Sequence, residues 1–100
     1  MTLEEIFDQR WESLATYDLD GTTHYLGVEL RLMIGLSNIT TAIARTSPRP
    51  KVSRHNWTMR MLPEVNRGRA VYLLTYNGVL EMIRNNKNAS CKNLQPLLDQ

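Results

Sequence analysis

The chain has 100 residues, of which 42% are hydrophobic and 22% charged, the size and composition of one small globular domain. No apolar run approaches the roughly 20 residues of a membrane span, and the acidic N-terminus lacks the basic-then-apolar form of a signal peptide. We therefore expect a cytoplasmic protein without a membrane partner. The net charge of +2 is unevenly distributed, because residues 1–30 carry −6 and residues 31–100 carry +8, which points to a polyanionic partner.

The first two predicted elements are a helix and a hairpin. Residues 2–12 have apolar side chains at helical spacing and several acids, with Thr2 as a possible N-cap, which predicts a short acidic amphipathic helix. Residues 14–27 alternate strand-forming side chains around Asp20-Gly21, a strong signal for a tight turn. Two short antiparallel strands are expected there.

Two helices separated by a glycine are predicted next. The first covers residues 28–34 and ends at Gly35. Ser37 or Asn38 can cap the second, which runs from about residue 38 to 45. Its inward side chains are expected to be Ile39, Ala42 and Ile43, and its outward ones Thr40, Thr41 and Arg45.

The remaining segments predict a second hairpin and a helix. Residues 46–54 are rich in proline and arginine and are expected to be loose. Strands are expected at 52–62 and 69–75, and a helix follows with Val79, Leu80, Met82 and Ile83 as its apolar face. Pro96 is placed as the first helical residue of a small apolar patch at 94–98. The fold class is therefore α+β: one domain over 1–100, winged-helix-like, with a core at 14–90 and a C-terminal tail at 91–100.

The helix–Gly–helix unit is the first candidate site. Two short helices joined by a turn with glycine form, in outline, the helix-turn-helix that reads DNA. The small polar side chains of the second helix can contact base edges or phosphates, and these are Ser37, Asn38, Thr40 and Thr41. The alternative is a plain helical hairpin in the core.

The basic stretch over residues 45–69 is the second candidate site. Arginine suits bidentate contacts with phosphate or guanine, and the turn at 67–69 resembles a wing that enters a groove. The alternative is a solvated surface, but the stretch follows the proposed reading helix directly. Its predicted DNA contacts are Arg45, Arg49, Lys51, Arg54, His55, Arg60, Arg67 and Arg69.

Enzymatic and metal sites are not expected. Cys91 is the only cysteine, and neither His24 nor His55 has a metal-ligand spacing to another histidine or cysteine. Most carboxylates lie in the first 30 residues, away from the basic stretch, so a nuclease centre is not indicated. We expect no catalytic residue, no cofactor and no metal.

Three segments together resemble the Bro-N domain of phage antirepressors. Residues 14–30 resemble its opening, a hairpin with an acidic-Gly turn followed by an aromatic strand that runs into a helix. Residues 34–45 are similar to its Gly-x-Ser-Asn step between two helices. Residues 71–84 look like its strand-then-helix segment, and residues 85–89 match the polar stretch after it.

The resemblance implies a DNA-binding domain of phage or mobile-element origin. The expected function is a transcriptional regulator of repressor type that binds double-stranded DNA in a host bacterial cell. A homodimer is expected because one small module buries only roughly 600–1,000 Å² on DNA, and the acidic helix or the patch at 94–98 is the expected interface. The alternative is an antirepressor or anti-defence inhibitor that binds a protein through its acidic N-terminal region.

Overall fold

The fold is built on a four-stranded antiparallel sheet to which both predicted hairpins contribute. A computed structural model describes residues 5, 7, 9–43, 45–46 and 49–98. The strands are β1 (Thr16–Leu19), β2 (Thr22–Leu26), β3 (Arg45–Thr46), β4 (Arg49–Pro50), β5 (Trp57–Met61) and β6 (Ala70–Thr75). The helices are α1 (Gln9–Glu12), α2 (Gly27–Ile34), α3 (Ile39–Ile43), α4 (Tyr76–Asn85) and α5 (Ala89–Leu98), and a 3-10 turn covers Arg54–Asn56. The α+β class is confirmed.

The first hairpin has the predicted tight turn. Asp20 and Gly21 both have positive φ, at 53° and 81°, and Leu19 pairs directly with Thr22 across the turn. Two consecutive residues with positive φ define a type I′ turn, whose twist matches that of the paired strands. The prediction of a hairpin centred on Asp20-Gly21 is confirmed.

The two hairpins join through their inner strands. The strand order is β1-β2-β6-β5, and β2 pairs antiparallel with β6 so that His24 faces Thr75 and Leu26 faces Leu73. The second hairpin, β5 with β6, was expected and is confirmed, although β5 begins at Trp57 and not at Val52. Val52 is fully buried but lies outside the strand.

The helices cover one face of the sheet, which we call the covered face. Side chains alternate between faces along a strand, so Tyr25 and Leu74 lie on this face together. They pack in the main core with residues of the helices and of their connections, among them Trp11, Leu30, Ile34, Ala42, Ile43, Val79, Met82, Ile83 and Cys91.

The opposite face, called the open face, carries a smaller apolar cluster. Leu26, Val71 and Leu73 are buried there, with Tyr17, Leu19 and Leu62 packed around them. No residue of a described helix belongs to this cluster. The side chains of Tyr17, Leu19 and Leu62 therefore shield the buried residues of this face from solvent.

The helix-turn-helix unit forms, but its second helix is shorter than predicted. Gly35 ends α2 with φ at 91°, and its N–H donates to the Arg31 carbonyl at 2.9 Å. Helix α3 stops at Ile43, so the placement of Arg45 on a helix is wrong. Arg45 and Thr46 form β3, which pairs with β4 inside the segment expected to be loose. Adjacent Thr40 and Thr41 are poor helix formers, consistent with a short helix.

The C-terminal segment is a helix where a tail was expected. Helix α5 begins at Ala89, and the Asn88 side chain accepts a hydrogen bond from the Cys91 N–H at 2.9 Å as its N-cap. Pro96 therefore lies inside this helix, and its placement as the first helical residue is wrong. Leu94 and Leu98 pack against the main core, so this patch serves the fold of the chain itself.

The N-terminal helix is described in part. Residues 5, 7 and 9–12 are helical, and Phe7 and Trp11 are buried in the main core with their rings stacked at 6.2 Å. The predicted cap Thr2 lies outside the described residues. The described apolar side chains of this helix, Phe7 and Trp11, thus pack inward.

Candidate nucleic-acid interface

Helix α3 presents the predicted polar side chains to solvent. Ser37, Asn38, Thr40 and Thr41 are all exposed. The Asn38 side chain accepts a hydrogen bond from the Thr41 N–H at 3.2 Å, which makes Asn38 the N-cap of α3. The hydroxyl groups of Ser37, Thr40 and Thr41 make no hydrogen bond to another described residue. Two hydroxyls on α3 and a third in the turn before it are therefore available to a partner.

Contacts with the rest of the domain hold α3 in place. The Asn86 side-chain amide donates to the carbonyl oxygens of Ala42 at 3.0 Å and Met82 at 2.6 Å, which ties α3 to the end of α4. Lys51 Nζ donates to the Thr41 carbonyl at 3.0 Å. A cation at a helix C-terminus is favourable because the carbonyl dipoles point toward it. Lys51, predicted to contact DNA, thus lies beside α3 and bonds to its last turn.

The tip of the second hairpin carries two unpaired arginines. Residues 62–69 connect β5 and β6, and the Leu62 carbonyl accepts hydrogen bonds from Val65 and Asn66 at 2.8 and 2.9 Å. Gly68 has φ at 81° between Arg67 and Arg69, which are both exposed. No described residue forms an ion pair or hydrogen bond with either guanidinium. Such arginines suit phosphate recognition.

A carboxylate fixes the segment that precedes β5. Glu81 of α4 accepts hydrogen bonds from the Ser53 N–H at 3.2 Å, the Ser53 hydroxyl at 2.6 Å and the Asn56 side-chain amide. Burial by itself would raise the pKa of Glu81, but these bonds and the nearby charge of His55 lower it below its usual value. The ionised carboxylate is the form that the fold stabilises.

Arg54 is engaged within the domain. Its guanidinium carbon lies 4.1 Å from the centre of the Trp57 ring, and its Nη1 donates to the Trp57 carbonyl at 2.7 Å. Arginine over a tryptophan face is a favourable cation–π contact. Arg54 is exposed but is held along the start of β5.

His55 and Arg60 belong to the open face and not to the side of α3. Arg60 pairs in register with Val71, and Thr58 pairs with Leu73, both members of the open-face cluster. Arg60, Thr58 and His55 line a pocket of about 250 Å³ together with His24. The complete lining, which we call the open-face pocket, is Leu19, Asp20, Thr22, His24, His55, Thr58, Arg60 and Thr75.

The predicted site residues therefore separate into three places. Ser37, Asn38, Thr40, Thr41 and Lys51 lie on or beside α3; Arg67 and Arg69 lie at the hairpin tip; His55 and Arg60 line the open-face pocket. Arg54 lies in the 3-10 turn that precedes β5. Arg45 and Arg49 lie on β3 and β4, but their side chains are outside the described part of the chain.

Sequence reasoning missed the contribution of His24 to a site. The alternation of Thr22, His24 and Leu26 along β2 was a signal that they share one face. The partner strand β6 lies about 50 residues away, so this alternation by itself could not predict that His24 lies near His55 and Arg60. Long-range pairing of this kind has no short-range sequence signature.

The described residues provide no metal site or membrane span. Among them, no three His, Cys, Asp or Glu side chains gather closely enough to hold a metal ion. No helix in the described ranges has the length and apolar character to cross a membrane. The Cys91 thiol is fully buried, and burial raises its pKa, so it is protonated and unreactive at neutral pH.

Comparisons with known proteins give no relative. No family model, curated protein or solved structure matches the chain. The resemblance to the Bro-N domain therefore rests on the quoted residues and on their order along the chain.

Proposed function

We propose that the protein is a transcriptional regulator, of repressor type and of phage or mobile-element origin, that binds double-stranded DNA in a sequence-specific manner. The proposal rests on the exposed hydroxyl groups of α3 and the turn before it, together with the two exposed arginines of the hairpin tip. Hydroxyl groups suit base edges and phosphates in a groove, and arginines suit the backbone. The resemblance to the Bro-N domain supports the same function.

The proposed interface has two parts with different roles. Helix α3 reads bases in the major groove through Ser37, Thr40 and Thr41. Arg67 and Arg69 at the hairpin tip bind phosphates beside it, as a wing does. Asn38 and Lys51 support α3 from its two ends through their bonds to Thr41. The first role determines sequence preference and the second contributes affinity on any sequence.

A selection from a random duplex library tests the proposal. At physiological salt we expect the chain to enrich one discrete sequence motif. Replacing Thr40 with Ala removes a base contact and should alter the motif, whereas Arg67→Ala with Arg69→Ala should weaken binding to every duplex equally. Absence of enrichment with any duplex would contradict the proposal and leave the antirepressor or inhibitor alternative, in which the acidic N-terminal region binds a protein.

A homodimer is part of the proposal because a single small module buries little surface on DNA. Leu32 on α2 is a large apolar side chain that is 63% exposed, and it is our candidate for the interface now that Leu94 and Leu98 pack inward. Sedimentation of the native chain should show a dimer that Leu32→Lys dissociates. A monomer at all concentrations, with and without a DNA site, would contradict this part of the proposal.

A further inference from the structure

The open-face pocket combines cationic groups with hydrogen-bonding side chains. Arg60 carries a permanent charge, and the imidazoles of His24 and His55 add two groups that can be protonated. Thr22 and Thr58 add hydroxyls that make no hydrogen bond to another described residue. Asp20 is the only acidic side chain in the lining. This is the composition of a site for an oxygen-rich anion.

A buried histidine of the pocket lining is held in one orientation by a hydrogen bond to the backbone. His24 is 8% exposed, and its Nδ1 lies 2.9 Å from the carbonyl oxygen of Thr22. A carbonyl only accepts, so Nδ1 carries the hydrogen of this bond and Nε2 is left for another partner. Toward a phosphate group, Nε2 either accepts from a protonated oxygen or donates as imidazolium.

The other lining residues make the two ends of the pocket different in charge. Thr75 is engaged as the N-cap of α4 and donates to Asn56, so it forms a wall and does not supply a free donor. Arg60 comes from β5 at one edge of the sheet, whereas Asp20 comes from the turn of the first hairpin at the other edge. A ligand that spans them meets a cation at one end and a carboxylate at the other.

We propose that the open-face pocket binds the phosphate group of a small phosphomonoester. Arg60, His24 and His55 bind the phosphate oxygens, and the Asp20 carboxylate accepts a hydrogen bond from a hydroxyl of the same ligand. The pocket of about 250 Å³ is below the usual range for drug-sized ligands, which favours a small sugar phosphate. Because α3 packs on the covered face, this ligand is distinct from the proposed DNA partner.

A titration of the native chain with inorganic phosphate and with ribose 5-phosphate tests the inference, followed through the histidine ring signals in NMR. Sodium chloride at equal ionic strength is the control for screening. We expect saturable shifts of His24 and His55 with both ligands and tighter binding of ribose 5-phosphate. No saturable shift at either histidine with ribose 5-phosphate would overturn the inference.

Two conservative variants identify the groups that bind. Arg60→Gln should weaken the binding of both ligands about tenfold or more, because a charge-assisted contact is lost. Arg67→Gln removes an equal charge at the hairpin tip and should leave both affinities unchanged. Asp20→Asn keeps a residue suited to positive φ, and it should weaken ribose 5-phosphate but not inorganic phosphate. Equal effects of Arg60→Gln and Arg67→Gln would overturn the inference.

A duplex titration distinguishes this ligand from a DNA phosphate. If the pocket is separate from the DNA interface, Arg60→Gln leaves duplex affinity unchanged while Arg67→Gln lowers it. A duplex that shifts His24 and loses affinity in Arg60→Gln would assign the pocket to DNA and overturn the inference. Since phosphate binding is measured without DNA, loss of the proposed function would leave this result intact.

Discussion

The two faces of the four-stranded sheet have opposite characters. On the covered face, Tyr25 and Leu74 pack beneath α2 to α5, and polar groups near its margin, such as Glu81, are bonded within the chain. On the open face, a small cluster around Leu73 borders a pocket whose arginine has no partner among the described residues. Groups bonded internally stabilise the fold, whereas groups without partners are available to ligands.

The comparison predicts where a substitution acts. Changes on the covered side should reduce the free energy of unfolding, and changes at the pocket or hairpin tip should affect binding alone. Substitutions at Leu74, Gly78, Glu81 and Arg60 test this division between the two faces.

Leu74→Ala should have the largest effect on stability. Leu74 is fully buried in the main core, and truncation of such a leucine costs about 2–5 kcal/mol. Leu73→Ala is the matched variant on the open face, and it should cost less because the smaller cluster can close in around it. Urea unfolding of both variants measures the difference. An equal cost would show that the open face is packed as rigidly as the covered one.

Gly78→Ala should be the next most destabilising change. A β-carbon at Gly78 would overlap the carbonyl oxygen of Asn56, where α4 begins against the 3-10 turn. Overpacking against backbone costs about 1–3 kcal/mol. Asn77→Ala, at an exposed neighbouring position of the same helix, is the control and should change the urea midpoint little. A stable Gly78→Ala chain would show that Asn56 is free to move.

Glu81→Gln should have a smaller effect that depends on pH. The pKa of Glu81 is lower in the folded chain than in the unfolded chain, so its contribution is fully present above the unfolded value of about 4.5 and is lost as pH falls through the folded value. At neutral pH the substitution should cost about 1 kcal/mol, through weaker bonds to Ser53 and Asn56. Below the folded pKa, native and variant chains should converge. A constant difference in urea midpoint at every pH would contradict this role.

Arg60→Gln should have the smallest effect on stability. Arg60 is exposed on β5 and bonds to no described residue, so its replacement should leave the urea midpoint unchanged. Thermal unfolding with and without ribose 5-phosphate then separates folding from binding, because only the native chain should gain a higher Tm. A destabilised variant without ligand would indicate that Arg60 supports the open-face cluster.

Local signals predicted most elements of the fold. Asp20-Gly21 forms the predicted type I′ turn and Gly35 ends α2 as predicted, each through local backbone conformation. Errors arose where distant partners decide the structure. Asn86 bonds to Ala42 and Lys51 to Thr41 at the end of α3, and Gln95 donates to carbonyls of residues 83–86.

The candidate site could likewise be predicted only in part from local patterns. The exposed side chains of α3 and of the hairpin tip follow from local periodicity and turn chemistry. Local patterns could not predict that Arg60 lies apart from α3. Its position depends on the pairing of β5 with β6 and on which face of the sheet the helices cover. A contiguous basic stretch of the sequence is therefore divided among the side of α3, the hairpin tip and the open-face pocket.

The salt dependence of DNA affinity tests whether α3 and the hairpin tip form the DNA-binding surface. Fluorescence anisotropy with a duplex obtained from the library selection gives the slope of log affinity against log salt for three chains. We expect Arg67→Ala with Arg69→Ala to reduce this slope by about two, one for each lost phosphate contact, and Arg60→Gln to leave it unchanged. An unchanged slope in the double variant, or an equal reduction in Arg60→Gln, would contradict a DNA surface made by α3 and the hairpin tip.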